Sequence, residues 1–135
     1  MRRVVITGIG AITPLGVGIE YIWPRLLESK CGIVSLTRSQ PENKWHLLPS
    51  TVAGLVPEGS RKEGKWNTLD WLARGEERRM AKFTQYAIAA TEMALEDSGW
   101  RPKTQYERER TGVCLGSGIG NLEVLYDTSV AFEQI

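Results

Sequence analysis

Any chemistry in this chain would have to start from a short set of side chains: Cys31, Cys114, His46 and the charged run Glu76-Glu77-Arg78-Arg79 with Lys82. A thiol becomes a nucleophile when a base or a cationic neighbour stabilises its thiolate. Val113 and Leu115 flank Cys114, Gly32 follows Cys31, and neither thiol has a base close by in sequence. Cys114 is therefore expected to be a buried structural thiol, and Cys31 a small loop residue. The pair forms no CxxC and no even framework, so neither a zinc site nor a disulfide scaffold is indicated. His46, alone in a polar stretch, reads as a surface residue rather than a catalyst. The charged run reads as a solvated helix entry with some pairing four residues apart, or as a docking point for an acidic partner.

Two glycine clusters come next. Gly8-Ile9-Gly10-Ala11-Ile12-Thr13 follows a β-branched run and invites a dinucleotide-binding reading. Thr13 replaces the third glycine, however, and Pro14 and Gly16 prevent a helix from opening where a pyrophosphate would need its N-terminus. That reading is rejected. Gly116-Ser117-Gly118-Ile119-Gly120 has the spacing of neither a phosphate loop nor a dinucleotide fingerprint. It reads as a tight strand-to-helix turn that would also let a substrate chain come close to the backbone.

The elements that must position these groups follow from pattern. Val4-Val5-Ile6 predicts a strand covered on both faces, and Thr111 to Leu115 a second core strand. Ile19, Ile22, Trp23, Leu26 and Leu27 share one helical face, and Pro24 inside it predicts a late start or a kink. Residues 80–98 make the clearest helix. One stripe is Met80, Phe83, Ala87, Ala90 and Ala94, and a second is Ile88, Thr91 and Leu95. Lys82, Gln85, Glu92 and Glu96 lie away from the first. The width predicts burial on more than one side, the alanines allow close approach by another backbone, and Gly99 suits a left-handed cap. Asn121 is placed to cap a helix from Leu122 onward. Between the helices, residues 36–79 read as an irregular surface excursion with one short strand at 51–56.

The 135 residues are enough for one domain, with 41% hydrophobic and 24% charged residues making a folded core feasible. A net charge of +1 gives no global pull toward nucleic acid or an anionic membrane. No apolar run reaches the ~18 residues of a membrane span. Met1-Arg2-Arg3 leads straight into the predicted strand, so no separable leader is expected.

Taken in order, these segments resemble one family. Arg2 to Gly10 followed by Thr13-Pro14-Leu15-Gly16 is similar to the opening of the β-ketoacyl-acyl-carrier-protein synthases. Trp23 to Leu27, Gly32-Ile33, Ala53 to Val56, Arg78-Arg79-Met80, Gln85-Tyr86-Ala87, Ala94 to Gly99 and Gly112 to Gly120 follow in the family's order. Ile33 to Leu36, Val56 to Gly59 and Leu125 to Ser129 are most similar to the mitochondrial, fungal branch. Departures are Pro24, Asn121 where many members carry glycine, the long 57–75 segment, and Gly75 at an often basic position.

The resemblance implies an α/β, thiolase-like fold: two similar halves, each a mixed sheet covered by helices, packed in five layers. Residues 1–135 would form part of the N-terminal half. It implies a homodimer in the full-length family, a mitochondrial or otherwise cytoplasmic location, and decarboxylative condensation with malonyl groups carried on acyl carrier protein. The family's catalytic cysteine and two histidines lie beyond the matched part, so no catalytic residue is assigned in this chain and it is expected to be inactive alone. No metal or redox cofactor is implied; substrates ride on the carrier's phosphopantetheine. Gly118 and Ile119 would bound the acyl pocket, and Arg78 and Arg79 would contact the acidic carrier.

Two other readings compete. A short non-catalytic protein could keep the same surfaces and bind a full-length synthase or the carrier protein. A degradative enzyme of thiolase fold is the third. In-frame coding sequence past Ile135, running into a cysteine-containing strand–turn–helix, would distinguish the first two.

Overall fold

The computed structural model describes residues 3–39 and 47–133. His46 lies outside them. The architecture is mixed α/β, with two small antiparallel ribbons and three principal helices. Strands β1 (Ile12–Thr13) and β2 (Gly16–Val17) form a hairpin that pairs Ile12 with Val17 and Thr13 with Gly16. Pro14-Leu15 makes the turn, and the Thr13 hydroxyl accepts the Leu15 amide at 3.1 Å. Helix α1 (Ile19–Leu27) starts at once after Gly18 and carries Pro24 within it, so the expected late start is corrected. Pro24 removes a single helical donor and the helix continues past it. Of the predicted apolar face only Ile22 is buried; Trp23, Leu26 and Leu27 are exposed.

Strand β3 (Ile33–Ser35) runs directly into the short helix α2 (Leu36–Ser39) and pairs with β4 (Val52–Gly54). The expected strand at 51–56 is thus present, shorter, with a partner that the pattern did not mark. This ribbon closes on the hairpin turn: a Cβ on Gly32 would sit 2.8 Å from Pro14 backbone carbon.

The chain from 57 to 80 contributes buried Trp66 and Leu72, which corrects in part the reading of 36–79 as a surface excursion. Trp66 is 2% exposed and is buried together with Val17 and Ala89. Ile12, Val56, Trp71, Tyr86 and Met93 pack around them. Three 3₁₀ turns, Arg61–Glu63, Thr68–Asp70 and Glu76–Arg79, shape this segment. Ser60 and Asn67 cap the first two through side-chain oxygens. Short turns of this kind have no long apolar period, so nothing in the pattern announced them.

Helix α3 (Lys82–Ser98) ends on Gly99 in the left-handed region, φ 65°, as expected. Its buried residues are Gln85 and Ala89, on a face the predicted stripes did not include. The alanine side does receive a backbone. Residues 8–10 cross it, and a Cβ on Gly10 would fall 2.8 Å from the Ala94 amide nitrogen and collide with the Ala90 carbonyl oxygen. Asp97 anchors the crossing by accepting the Ile9 amide at 2.9 Å. The alanine side is only half-buried, and Phe83 and Ile88 are exposed, so the expected burial on more than one side is met in part and the apolar register differs.

Helix α4 (Gln105–Glu109) opens on a reciprocal capping box between Thr104 and Glu107. Helix α5 (Leu122–Glu133) is capped by Asn121, whose side-chain oxygen accepts the Val124 amide at 3.1 Å. Two expectations fail here for one reason. Val4 to Ile6 and Thr111 to Leu115 have strand composition, but among the described residues neither segment is paired. A β-branched run needs a partner ladder and a covering layer before it becomes a buried strand. Val4 is accordingly 99% exposed and Val113 76% exposed. Cys114, on the second segment, is exposed rather than buried.

Candidate functional site

Two groups of residues stand out, one basic and one glycine-rich. The basic group is the turn Glu76–Arg79, which precedes α3 without merging into it: Met80 and Ala81 are extended, with ψ 132° and 150°. The charged run is therefore a separate turn rather than the helix entry read from the sequence. Gly75 begins it at φ 97°, a conformation that strains any residue with a Cβ. Two carboxylates hold the turn's start: Glu77 accepts the Gly75 amide at 2.6 Å and Glu76 the Ala73 amide at 3.1 Å. Both acids are thus occupied by backbone, and Arg78 and Arg79 face solvent. Among the described residues, neither arginine has an ion-pair partner.

The turn rests on a buried polar relay. The Gln85 side-chain amide donates to the carbonyls of Glu77 and Met80, both at 3.1 Å. Its oxygen accepts from the Thr68 hydroxyl at 3.4 Å, and Thr68 in turn accepts the Trp66 indole N–H at 3.1 Å. Trp66 meets Tyr86 edge to face at 4.7 Å. Lys82 lies over both rings, 5.6 and 5.8 Å from their centroids, and pairs with Glu58 at 2.9 Å. Burial pushes the Tyr86 phenol up from its ordinary pKa, with the Glu58 carboxylate adding to the effect. Sequence reading missed this relay. Thr68 and Gln85 lie 17 residues apart, and no spacing signals their contact.

The glycine-rich group is the loop 116–120, a bend that leads into α5 rather than the expected strand-to-helix turn, since no strand precedes it among the described residues. Gly120 sits at φ 77° and its amide reaches the Ser117 hydroxyl at 3.4 Å. A Cβ at Gly116 or Gly118 would meet nothing within 4 Å, so the backbone is open to approach. Ile119 is 76% exposed. No hydrogen bond or ion pair among the described residues joins this loop to the Arg78–Arg79 turn.

Beside α3 runs a groove of about 690 Å³, lined in part by Gly8, Ala90, Ala94, Trp100, Val113 and Leu115. Cys114 lines it too; Gly118 and Ile119 do not. Thr111 fixes one wall by accepting the Trp100 indole N–H at 3.2 Å. Among the described residues, no group of three or more His, Cys, Asp or Glu is placed to hold a metal ion. Among them also, no helix is long and apolar enough to cross a membrane.

Comparison with known proteins gives these features a family. The chain is 42% identical over 127 residues to 3-oxoacyl-[acyl-carrier-protein] synthase 2 of Rhizobium meliloti, covering 94% of this chain and 29% of that protein. It is 40% identical over 131 residues to the mitochondrial 3-oxoacyl-[acyl-carrier-protein] synthase of Arabidopsis thaliana, covering 90% and 28%. A protein of Schizosaccharomyces pombe that carries the name of a mitochondrial enzyme of the same kind is 48% identical over 123 residues, covering 91% and 28%. The chain spans under a third of the length of these curated relatives. The family model for the β-ketoacyl synthase N-terminal domain matches residues 1–134, and the chain belongs to that family.

Proposed function

We propose that these residues are the N-terminal part of a thiolase-like, mitochondrial, homodimeric 3-oxoacyl-[acyl-carrier-protein] synthase. The observation that carries this is the family match over residues 1–134, supported by the mitochondrial synthases among the relatives. In such an enzyme a cysteine thiolate outside these residues takes an acyl group from the carrier's thioester and releases the carrier thiol. Malonyl-carrier then loses carbon dioxide, its carbanion attacks the acyl-cysteine carbonyl, and the thiolate leaves as the new carbon–carbon bond closes. Two histidines, also outside these residues, assist the decarboxylation and the developing oxyanion.

This chain would supply surfaces to that reaction rather than reacting groups. Arg78 and Arg79 would receive the acidic carrier, a role supported by their exposure and their lack of an ion-pair partner among the described residues. Guanidinium groups fork onto carboxylates, and charges at an interface rim mainly raise the association rate. Gly118 and Ile119 would border the acyl chain, where the bare backbone gives it room and Ile119 supplies an apolar contact.

Two measurements test the proposal. Transcript sequencing should show coding sequence that continues in frame past Ile135 into a cysteine-bearing strand–turn–helix; a stop codon there would favour the short binding protein. Replacing both arginines (Arg78→Glu with Arg79→Glu) should slow association with phosphopantetheinylated acyl carrier protein, most at low salt. Unchanged association at every salt concentration would remove the pair from the interface.

A further inference from the structure

We infer that Gln85 is the positioning residue for the Arg78–Arg79 turn, an inference that rests on the carrier-docking reading above. The two carbonyls that its amide holds belong to Glu77 and Met80, one on each side of the arginine pair. Among the described residues, these are the only hydrogen bonds that tie residues 76–80 to α3. Gln85 is 6% exposed, so its own geometry is set by the interior. Thr68 and Trp66 fix the amide from the far side. A primary amide suits the task because one nitrogen carries two donors while its oxygen accepts.

The arginines thus inherit their direction from a core side chain that cannot itself touch a partner. If the relay is cut, the turn keeps its charge and loses its aim. An ordinary buried glutamine would affect overall stability alone; a positioning one affects the arginines' contribution in particular.

A double-mutant cycle separates these. In purified protein carrying this sequence, Gln85→Met keeps the side chain's length and removes both donors. Its affinity for phosphopantetheinylated acyl carrier protein at low salt should fall about fivefold, the order expected from one exposed charge pair. Made on top of Arg78→Ala with Arg79→Ala, the same change should have no further effect. Equal losses in both backgrounds, or none in either, would overturn the inference. If the arginine replacements themselves leave binding unchanged, the carrier reading falls separately, and amide hydrogen exchange then decides on positioning. Gln85→Met should accelerate exchange at residues 77–80 more than at Trp66 or Ala89; uniform acceleration would refute a local role.

Discussion

Gly10→Ala would test how segment 3–11 is seated. The added methyl meets backbone: the Ala90 carbonyl oxygen directly, and the Ala94 nitrogen at 2.8 Å. Helix backbone cannot swing aside as a flexible side chain would, so either the segment lifts or α3 distorts. Overpacking of this kind costs about 1–3 kcal/mol. Restricting the unfolded chain offsets about 0.4–1 kcal/mol of it. The net loss is on the order of 1–2 kcal/mol, and it falls where Asp97 holds the Ile9 amide. Native-state hydrogen exchange reads that amide directly: exchange at Ile9 should become about 5- to 30-fold faster, at tenfold per ~1.4 kcal/mol. Gly112→Ala is the control, because its Cβ would meet nothing within 4 Å, and it should leave Ile9 unchanged. Unaltered Ile9 protection in Gly10→Ala would refute the close crossing.

Three further outcomes are expected. In a full-length protein, Ile119→Phe should disfavour long acyl chains, and an unchanged chain-length preference in a condensation assay would return Ile119 to a packing role. Residues 1–135 alone should show no malonyl-dependent condensation and should associate through exposed Val4, Ile6, Val113 and Leu115; turnover abolished by Cys114→Ala, or cooperative unfolding of a monomer, would contradict this. The Arg101 guanidinium beside Glu92 holds that carboxyl below the usual glutamate value by donating to it. A depressed folded pKa means that the Arg101 clasp contributes above the unfolded value of ~4.3 and is lost as pH falls through the lower folded one. A carboxyl ¹³C titration should place the Glu92 midpoint below that of a free glutamate, and a midpoint at or above it would refute the clasp.

What was legible in the sequence was what is decided locally. The Gly99 cap, the Asn121 cap and the small-residue side of α3 depend on neighbours within a few positions, and the residue types there leave little choice. That some backbone would come close to α3 could be anticipated from the alanines; that Gly8 and Gly10 would supply it could not. The core could not, because Val17, Trp66 and Ala89 meet from distant parts of the chain. The stretch that supplies Trp66 is built of short turns without a period, so it looked like surface. Val4 to Ile6 misled in the other direction: its composition specifies a strand, but pairing is a property of two segments. For the candidate site, Arg78 and Arg79 were visible as types and order. Their direction was not, since it passes through Gln85, which looked like a polar residue off the apolar stripe.

The assembly of the core from Val17, Trp66 and Ala89 sets a timetable for synthesis. Translation adds about 5–20 residues per second, so roughly 4–14 s separate the emergence of Val17 from that of Ala89. Throughout that interval the nascent chain displays Val4, Val5 and Ile6 with no α3 backbone for the glycines behind them to cross. Contacts of such long range close slowly, while an apolar extended run is ready to pair with any strand it meets. The growing polypeptide is therefore expected to be a client for chaperones at its N-terminus, and completing the helix at residue 98 seats Gly8 and Gly10 but leaves Val4, Val5 and Ile6 exposed.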